Sequence, residues 1–248
     1  MIDVKGKNVV VTGAGSGIGR AAAIQFAKSG ANVVVSDINE ENAKKVSEEI
    51  KELGVKSIYV KTDVGDPAQI KELIEKTVET FGSVDCAVNN AGIGMYYTPL
   101  HLVEDVVVDK LIDVNLKSVF YCMKYEIAEM LKQGGGAIVN IASIGGLRGT
   151  PGLCLYNATK HGVIGFTKSA AVEYIKDNIH INAICPGPTD TNMFPDEIKE
   201  KMAKDIPAGK LAKPEEMGDL AVYLCSDSAK SITGDAIVVD YGMTSIAR

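Results

Sequence analysis

From Asn8 to Asn89 the chain alternates short β-branched runs with longer segments of helical periodicity, and few folds accept that pattern. Residues 8–12, 32–36, 57–61 and 84–89 read as strands. Residues 18–29, 40–53 and 67–81 read as helices, stopped by Gly30, Gly54 and Gly82. Asp66 stands at the N-cap of the third helix, Pro67 at its first position and Gln69 at the capping-box position. Strands joined through helices predict a parallel sheet with right-handed crossovers and helices on both faces. The strands are apolar almost throughout, as strands buried on both sides must be. The pattern continues with a long helical region at 103–132, a strand at 136–141 and a helix at 156–175. A strand at 179–185, a helix at 214–225 and a last strand at 236–240 follow. No linker, repeat or low-complexity tract interrupts residues 1–248, so we expect a single α/β domain, a doubly wound parallel sheet. The segment 187–213 is the longest stretch with weak periodicity, and so long a loop in a compact domain reads as a lid, near 188–212.

The net charge of −6 argues against nucleic acid, whose phosphates need clustered Lys and Arg, and against an anionic membrane surface. No apolar run approaches the roughly 20 residues that span a bilayer. Cys86, Cys122, Cys154, Cys185 and Cys225 are odd in number and scattered, with no Cys-x-x-Cys and no zinc-ligand spacing. They read as reduced thiols, several of them buried, in a cytoplasmic protein without a metal site.

The turn after the first strand is rich in glycine: Thr12, Gly13, Ala14, Gly15, Ser16, Gly17, Ile18, Gly19. Glycines let a backbone turn sharply and approach a pyrophosphate, and the helix that follows offers free N–H groups and positive partial charge. The spacing is neither Gly-x-Gly-x-x-Gly nor a P-loop, so alone the turn is weak evidence. Its context strengthens it, because an acidic residue closes the second strand about 20 positions on. That residue is Asp37. A carboxylate there can accept hydrogen bonds from the adenosine ribose and would repel a 2′-phosphate, which points to NAD. The plainer reading of Asp37 is a turn residue before Asn39.

Tyr156 and Lys160 stand one helical turn apart on a shared face. A phenol titrates near pH ~10, and an adjacent ammonium favours its ionised form. A phenol so lowered is a useful acid and base at neutral pH. Ser143 lies just past the fifth strand, at the carboxyl edge where open α/β sheets bind ligands, and its hydroxyl can position a substrate oxygen.

Together these motifs resemble the short-chain dehydrogenase/reductase family in its compact form. The Thr12–Gly19 turn, the run Asn89, Asn90, Ala91, Gly92, the set Asn115, Ser143, Tyr156, Lys160, and Pro186, Gly187 with Thr191 match its motifs in order. The resemblance spans essentially the whole chain. It implies a Rossmann-type sheet of about seven strands, order 3-2-1-4-5-6-7, and a cofactor site that includes Gly13, Gly15, Ser16, Gly17, Ile18 and Gly19. It implies that Tyr156 would give or take the substrate proton, while Lys160 would lower its pKa and bond the nicotinamide ribose. Ser143 would hold the substrate oxygen. Asn115 would interrupt its helix and hold a water that links Lys160 to solvent. Asp63 and Val64 would flank the adenine, and Asn90 would lie along the cofactor. Thr189 and Thr191, after Pro186 and Gly187, would hold its carboxamide and pyrophosphate end. It further implies a homotetramer built on the 103–132 and 156–175 helices.

The expected activity is hydride transfer between NAD(H) and a small carbonyl or secondary alcohol. An NADP-linked 3-ketoacyl-carrier-protein reductase is the alternative, opposed by Asp37 and Ser16, although Arg20 remains available just past the turn. A non-catalytic dinucleotide sensor would have little use for Asn115, Ser143, Tyr156 and Lys160 together. His161, next to Lys160 but on another face, and His180, at a strand start, read as structural. Cys154 has no activating partner. His101 either borders the substrate or faces solvent, as does Arg148, and Met193 and Phe194 are either pocket walls or core. Tyr241 stands where the family commonly has glycine, and packs either at a subunit contact or against the pocket.

Overall fold

Alternate side chains of each strand point into opposite layers of helices, and the valines of β1 (Asn8–Thr12) show the division. Val9 and Val11 pack with α1 (Gly17–Lys28), α2 (Glu40–Glu52) and α8 (Pro214–Leu224). Val10 packs on the other side with α3 (Pro67–Phe81), α5 (Ser118–Gln133) and α6 (Cys154–Tyr174). The remaining strands are β2 (Asn32–Asp37), β3 (Ser57–Lys61), β4 (Cys86–Asn89), β5 (Gly136–Ile141), β6 (Ile179–Pro186) and β7 (Ala236–Val239). All pair in parallel, in the order β3-β2-β1-β4-β5-β6-β7. The computed structural model describes residues 3–193 and 195–245. The fold class and strand order are those expected.

The departures have local causes. Val84 precedes β4 rather than joining it, because its backbone N–H and C=O bond the Gln133 side chain (3.2 and 2.8 Å) instead of a neighbouring strand. The helical region at 103–132 is broken: α4 (Asp105–Ile112) passes through a π-helical turn, Asp113–Lys117, into α5. Asn115 sits in that turn, as the family resemblance implied. Gln69 does not close a capping box. Asp66 caps Ala68 N–H at 2.9 Å, while the Gln69 Oε1 reaches back to the Asp63 N–H at 2.9 Å. The aperiodic stretch 187–213 contains a helix, α7 (Asp196–Lys204). Its base is closed by a Thr189–Ala212 bridge, with Asp190 N–H donating to the Ala212 carbonyl at 2.9 Å.

Between the sheet and α5 lies a carboxyl group with no access to solvent. Glu126 is 0% exposed. Its Oε2 accepts from Asn89 Nδ2 at 3.0 Å, and Asn89 also reaches Asn140 Oδ1 at 3.0 Å. Asn140 in turn donates to Thr167 Oγ1 at 2.9 Å. Burial raises the Glu126 pKa from 4.5 to about 7, against a smaller lowering by the Asn89 bond. A raised folded-state pKa means that folding favours the protonated form. The stabilisation is complete below the unfolded value and disappears as pH rises through about 7. The full difference is on the order of 3 kcal/mol. Glu126→Gln is therefore expected to remove a decline in stability that the parent protein shows between about pH 5 and pH 9. Urea unfolding across that range checks this, and parallel pH profiles for the two proteins contradict it.

Candidate active site

The crevice opens where strand order reverses, between β1 and β4, at the carboxyl edge of the sheet. β1 ends at Thr12 and α1 begins at Gly17, after a Ser16 that makes no side-chain cap. The first helical N–H groups, from Gly17, Ile18 and Gly19, thus face the crevice without a capping side chain. The turn is tightly packed. A Cβ at Gly19 would lie 2.2 Å from the Gly13 carbonyl oxygen, and one at Gly13, whose φ is 63°, would lie 2.9 Å from Ala91 Cα. Asn90 braces this contact by donating from Nδ2 to the carbonyls of Thr12 (2.9 Å) and Gly13 (3.1 Å). The Thr12 hydroxyl accepts from the backbone N–H groups of Asn90 and Ala91 in return (3.1 and 3.2 Å). This brace by Thr12 went unforeseen; its signal is a hydroxyl closing the run of three valines.

Asp37 closes β2 with its carboxylate against the turn: Oδ2 accepts from Gly15 N–H at 2.8 Å and Oδ1 from Asn39 N–H at 2.9 Å. Arg20 is paired, although its side chain stays 42% exposed. It forks onto both oxygens of Glu49 on α2 at 2.7 Å. After β3, Asp63 Oδ1 accepts from Gly65 N–H at 2.8 Å, and Val64 packs with Ile70 and Cys122. At the end of β6, Pro186 leads into Gly187, whose N–H bonds the Val239 carbonyl at 2.9 Å. Thr189 is buried, while Thr191 brings its methyl within 3.4 Å of a Cβ built on Gly17. Helix N–H groups, glycines that leave no room for a Cβ, and a carboxylate at the second strand end form a cradle that fits a dinucleotide.

Farther along the same edge, four residues from three parts of the chain converge. Ser143 follows β5 in extended conformation, accepts from Gly145 N–H at 3.0 Å and stands beside the Tyr156 phenol, whose pKa it lowers. Lys160 is only 5% exposed and donates to the Ile141 carbonyl at 2.9 Å. Its Nζ stands 5.8 Å from the Tyr156 ring centroid. Asn115, fully buried, grips the backbone of Ile93 with both ends of its amide: Oδ1 accepts from N–H and Nδ2 donates to C=O, each at 2.8 Å. Gly92 joins the groups, since a Cβ there would sit 3.4 Å from Asn115 Oδ1 and 3.7 Å from Lys160 Nζ. The carbonyl of Ile141 and the backbone of Ile93 are partners that no side-chain pattern announces.

The electrostatics reverse one expectation. Burial pushes the Tyr156 phenol above its ordinary value, outweighing the lowering by the neighbouring Ser143 hydroxyl. Burial also lowers Lys160 to about 8. The ammonium is engaged by Ile141 rather than by the phenol oxygen, so desolvation outweighs charge. Tyr156 therefore keeps its proton at neutral pH.

The other singled-out residues divide plainly. His161 bonds the Asn157 carbonyl through Nδ1 at 2.9 Å, and His180 is the second residue of β6, both of its ring nitrogens buried without a hydrogen-bond partner. Cys154 is exposed, and the other four cysteines are buried thiols. His101 is exposed at the protein surface, while Arg148 is half-buried. Met193 is half exposed beside Gly94, and Phe194 lies outside the described residues. No helix among the described residues is long and apolar enough to cross a membrane.

Known oxidoreductases share this architecture. The family described as Enoyl-(Acyl carrier protein) reductase matches residues 13–244. Cyclohexanol dehydrogenase of Acinetobacter sp. strain SE19 is 44% identical over 242 residues, which cover 96% of this chain and 95% of its own. The 3-oxoacyl-[acyl-carrier-protein] reductase of Staphylococcus aureus is 42% identical, over 96% and 98% of the two chains. The crystal structure of 3-ketoacyl-(acyl-carrier-protein) reductase from Brucella melitensis complexed with NADH superposes with a TM-score of 0.93 at 35% identity, over 98% of this chain and 100% of that one. The chain belongs to the short-chain dehydrogenase/reductase family and is an oxidoreductase.

Proposed function

We propose that this protein exchanges a hydride between NAD(H) and a small carbonyl or secondary-alcohol substrate. The observation that carries the reading is the convergence of Ser143, the Tyr156 phenol and buried Lys160, whose Nζ stands 5.8 Å from the Tyr156 ring, at the sheet edge next to the glycine cradle. NAD(H) supplies or accepts the hydride there. Tyr156, a phenol that holds its proton at neutral pH, is the acid that delivers a proton to the carbonyl oxygen in reduction and the base in the reverse direction. Ser143 shares that oxygen. Lys160 contributes a fixed positive charge whose desolvation makes it a stronger electrostatic partner than a surface lysine. Asn115 holds the loop at Ile93 and so keeps Gly92 against Lys160.

For the cofactor, Gly13, Gly15, Ser16, Gly17, Ile18 and Gly19 hold the pyrophosphate, and Asp37 accepts the adenosine ribose hydroxyls. Asp63 and Val64 border the adenine, Asn90 lies along the cofactor, and Thr189 and Thr191, after Pro186 and Gly187, hold its carboxamide and pyrophosphate end. The resemblance to 3-oxoacyl-carrier-protein reductases supports the alternative reading, an NADP-linked reductase of carrier-bound ketoacyl groups. Asp37 at the end of β2, whose carboxylate would repel a 2′-phosphate, supports NAD. A sensor without catalysis has no use for a buried lysine beside a buried phenol, since both cost desolvation energy. We read residues 1–248 as a single domain with a lid at 188–212, and the free thiols among the described residues support a cytoplasmic location.

Exposed apolar side chains on α4, α5 and α6, among them Val106, Phe120 and Val172 (67, 48 and 78% exposed), support a tetramer built on these helices. Light scattering after size exclusion is expected to give the mass of four 26.3 kDa chains; a monomer refutes the assembly.

Tyr156→Phe removes the proton donor and leaves the ring. Its kcat is expected to fall by about a hundred- to ten-thousandfold, read from nicotinamide absorbance over a panel of ketones and alcohols. Turnover equal to the parent's sinks the assignment. Asp37→Ala is expected to narrow the ratio of kcat/KM for NAD over NADP by about tenfold or more, by removing a charge that repels a 2′-phosphate. An unchanged ratio refutes the ribose role.

A further inference from the structure

Two non-glycine residues among those described have positive φ, Asn178 at 59° and Tyr241 at 52°. Asparagine tolerates the left-handed region through its short polar side chain, whereas a tyrosine there is strained and persists only when its surroundings hold it. Tyr241 follows β7 and is held from two sides. Its hydroxyl donates to Glu216 Oε1, and Lys210 Nζ lies over its ring at 5.0 Å from the centroid. Glu216 is itself fixed, because its Oε2 accepts from Lys213 N–H at 2.9 Å and so caps the start of α8.

Lys210 and Lys213 form the exit of the 187–213 connection. The residues beside Tyr241 reach the rest of that connection. A Cβ at Gly242 would lie 3.9 Å from Pro207 Cγ near the exit, and one at Gly187, where the connection begins, would lie 2.7 Å from Asp240 Cβ. Asp240 is anchored by accepting from Gly242 N–H (2.8 Å) and Thr244 N–H (2.7 Å). The short stretch after β7 thus touches both roots of the connection that carries Thr189 and Thr191. A glycine at 241 would adopt this backbone without strain but would offer neither the hydroxyl nor the ring.

We infer that Tyr241 is a positioning residue that clamps the exit of the 187–213 connection to the end of β7, and thereby holds Thr189 and Thr191 over the glycine cradle. Its link to the cofactor rests on the assignment of those threonines made above; its link to the backbone does not. The clamp works through the base of the connection, where Ala212 N–H donates to the Pro188 carbonyl at 3.0 Å and Asp190 N–H to the Ala212 carbonyl at 2.9 Å.

The test is hydrogen–deuterium exchange at the Asp190 and Ala212 amides of the cofactor-free protein, with NADH affinity from fluorescence titration. In Tyr241→Gly both amides are expected to exchange about tenfold faster, and the NADH Kd to rise by about five- to tenfold. The melting temperature should change little, because relief of backbone strain opposes the extra unfolded-state entropy of glycine and the lost contacts; a large fall marks general loosening, and Tyr241→Phe then decides. Tyr241→Phe keeps the ring over Lys210 and should fall between the two, and it decides the question on the same amides if the glycine variant does not fold. Exchange within about twofold of the parent at both amides overturns the clamp. Faster exchange with an unchanged NADH Kd overturns its reach to the cofactor. If the parent binds no NADH while exchange still rises, the clamp stands and the dinucleotide assignment falls.

Discussion

The contact between the turn after β1 and the end of β4 is the joint on which the rest depends. Strand order reverses there, so no helix crosses the gap and the crevice stays open. The two ends must nevertheless stay in register. Glycine at 13 and 19 lets the backbones meet at distances no side chain would tolerate, and Asn90 and Thr12 lock them with reciprocal hydrogen bonds. With the turn so fixed, the amino end of α1 points its N–H groups into the crevice. Asp37 meets the turn from β2 and Thr191 from beyond β6, so one immobile loop sets where several distant parts of the chain converge.

Beneath that joint the protein maintains a buried polar layer, and desolvation governs it. Asn89 precedes Asn90, and its amide bonds Glu126 and Asn140. Asn140 precedes Ile141, whose carbonyl holds the Lys160 ammonium. The same two strand ends therefore carry structural amides facing the helices and functional contacts at their tips. Glu126 rises, Tyr156 rises and Lys160 falls, each chiefly because burial penalises the charged form. In the proposed reaction this keeps the phenol as a loaded proton donor, the state that ketone reduction requires. The fixed charge of Lys160 acts on what enters the crevice more than on the phenol at rest.

Much of this was legible from residue order. The strands at 8–12, 57–61 and 136–141 and the helix at 67–81 emerge with the expected bounds, since β-branched runs and capping residues act locally. The order of the strands followed from the family resemblance. Other features depend on contacts across the chain. The apolar rhythm of 103–132 runs on through the π-helical turn at Asn115, because the helix on either side still faces the same core. Glu126 looks like any polar residue of an amphipathic helix until the sheet closes over it. Arg20 looked free until α2 brought Glu49 against it. The expected lowering of the Tyr156 pKa failed for a similar reason. Helical spacing brings the two side chains to one face but does not say that the ammonium will choose a backbone carbonyl.

A cyclohexanol dehydrogenase and a 3-oxoacyl-carrier-protein reductase resemble this chain almost equally, at 44% and 42% identity over nearly its whole length. Overall likeness therefore carries little information about substrate, and selectivity has to come from what borders the crevice. Two segments do so. The one after β4 is tied at Ile93 by Asn115 and at Thr98 by a bond to the Gly152 carbonyl, so it is held at both ends while Tyr96 and Tyr97 stay exposed. The one after β6 is pinned at its base by the Thr189–Ala212 bridge, with α7 drawn back by Lys199 onto Asp190. Rigid roots with exposed apolar tips suit a site in which the proton donor is fixed and the substrate is selected by shape and polarity. On this view the reaction class is set by the floor of the crevice and the substrate by its rim, so changes in the rim need not disturb Ser143, Tyr156 and Lys160.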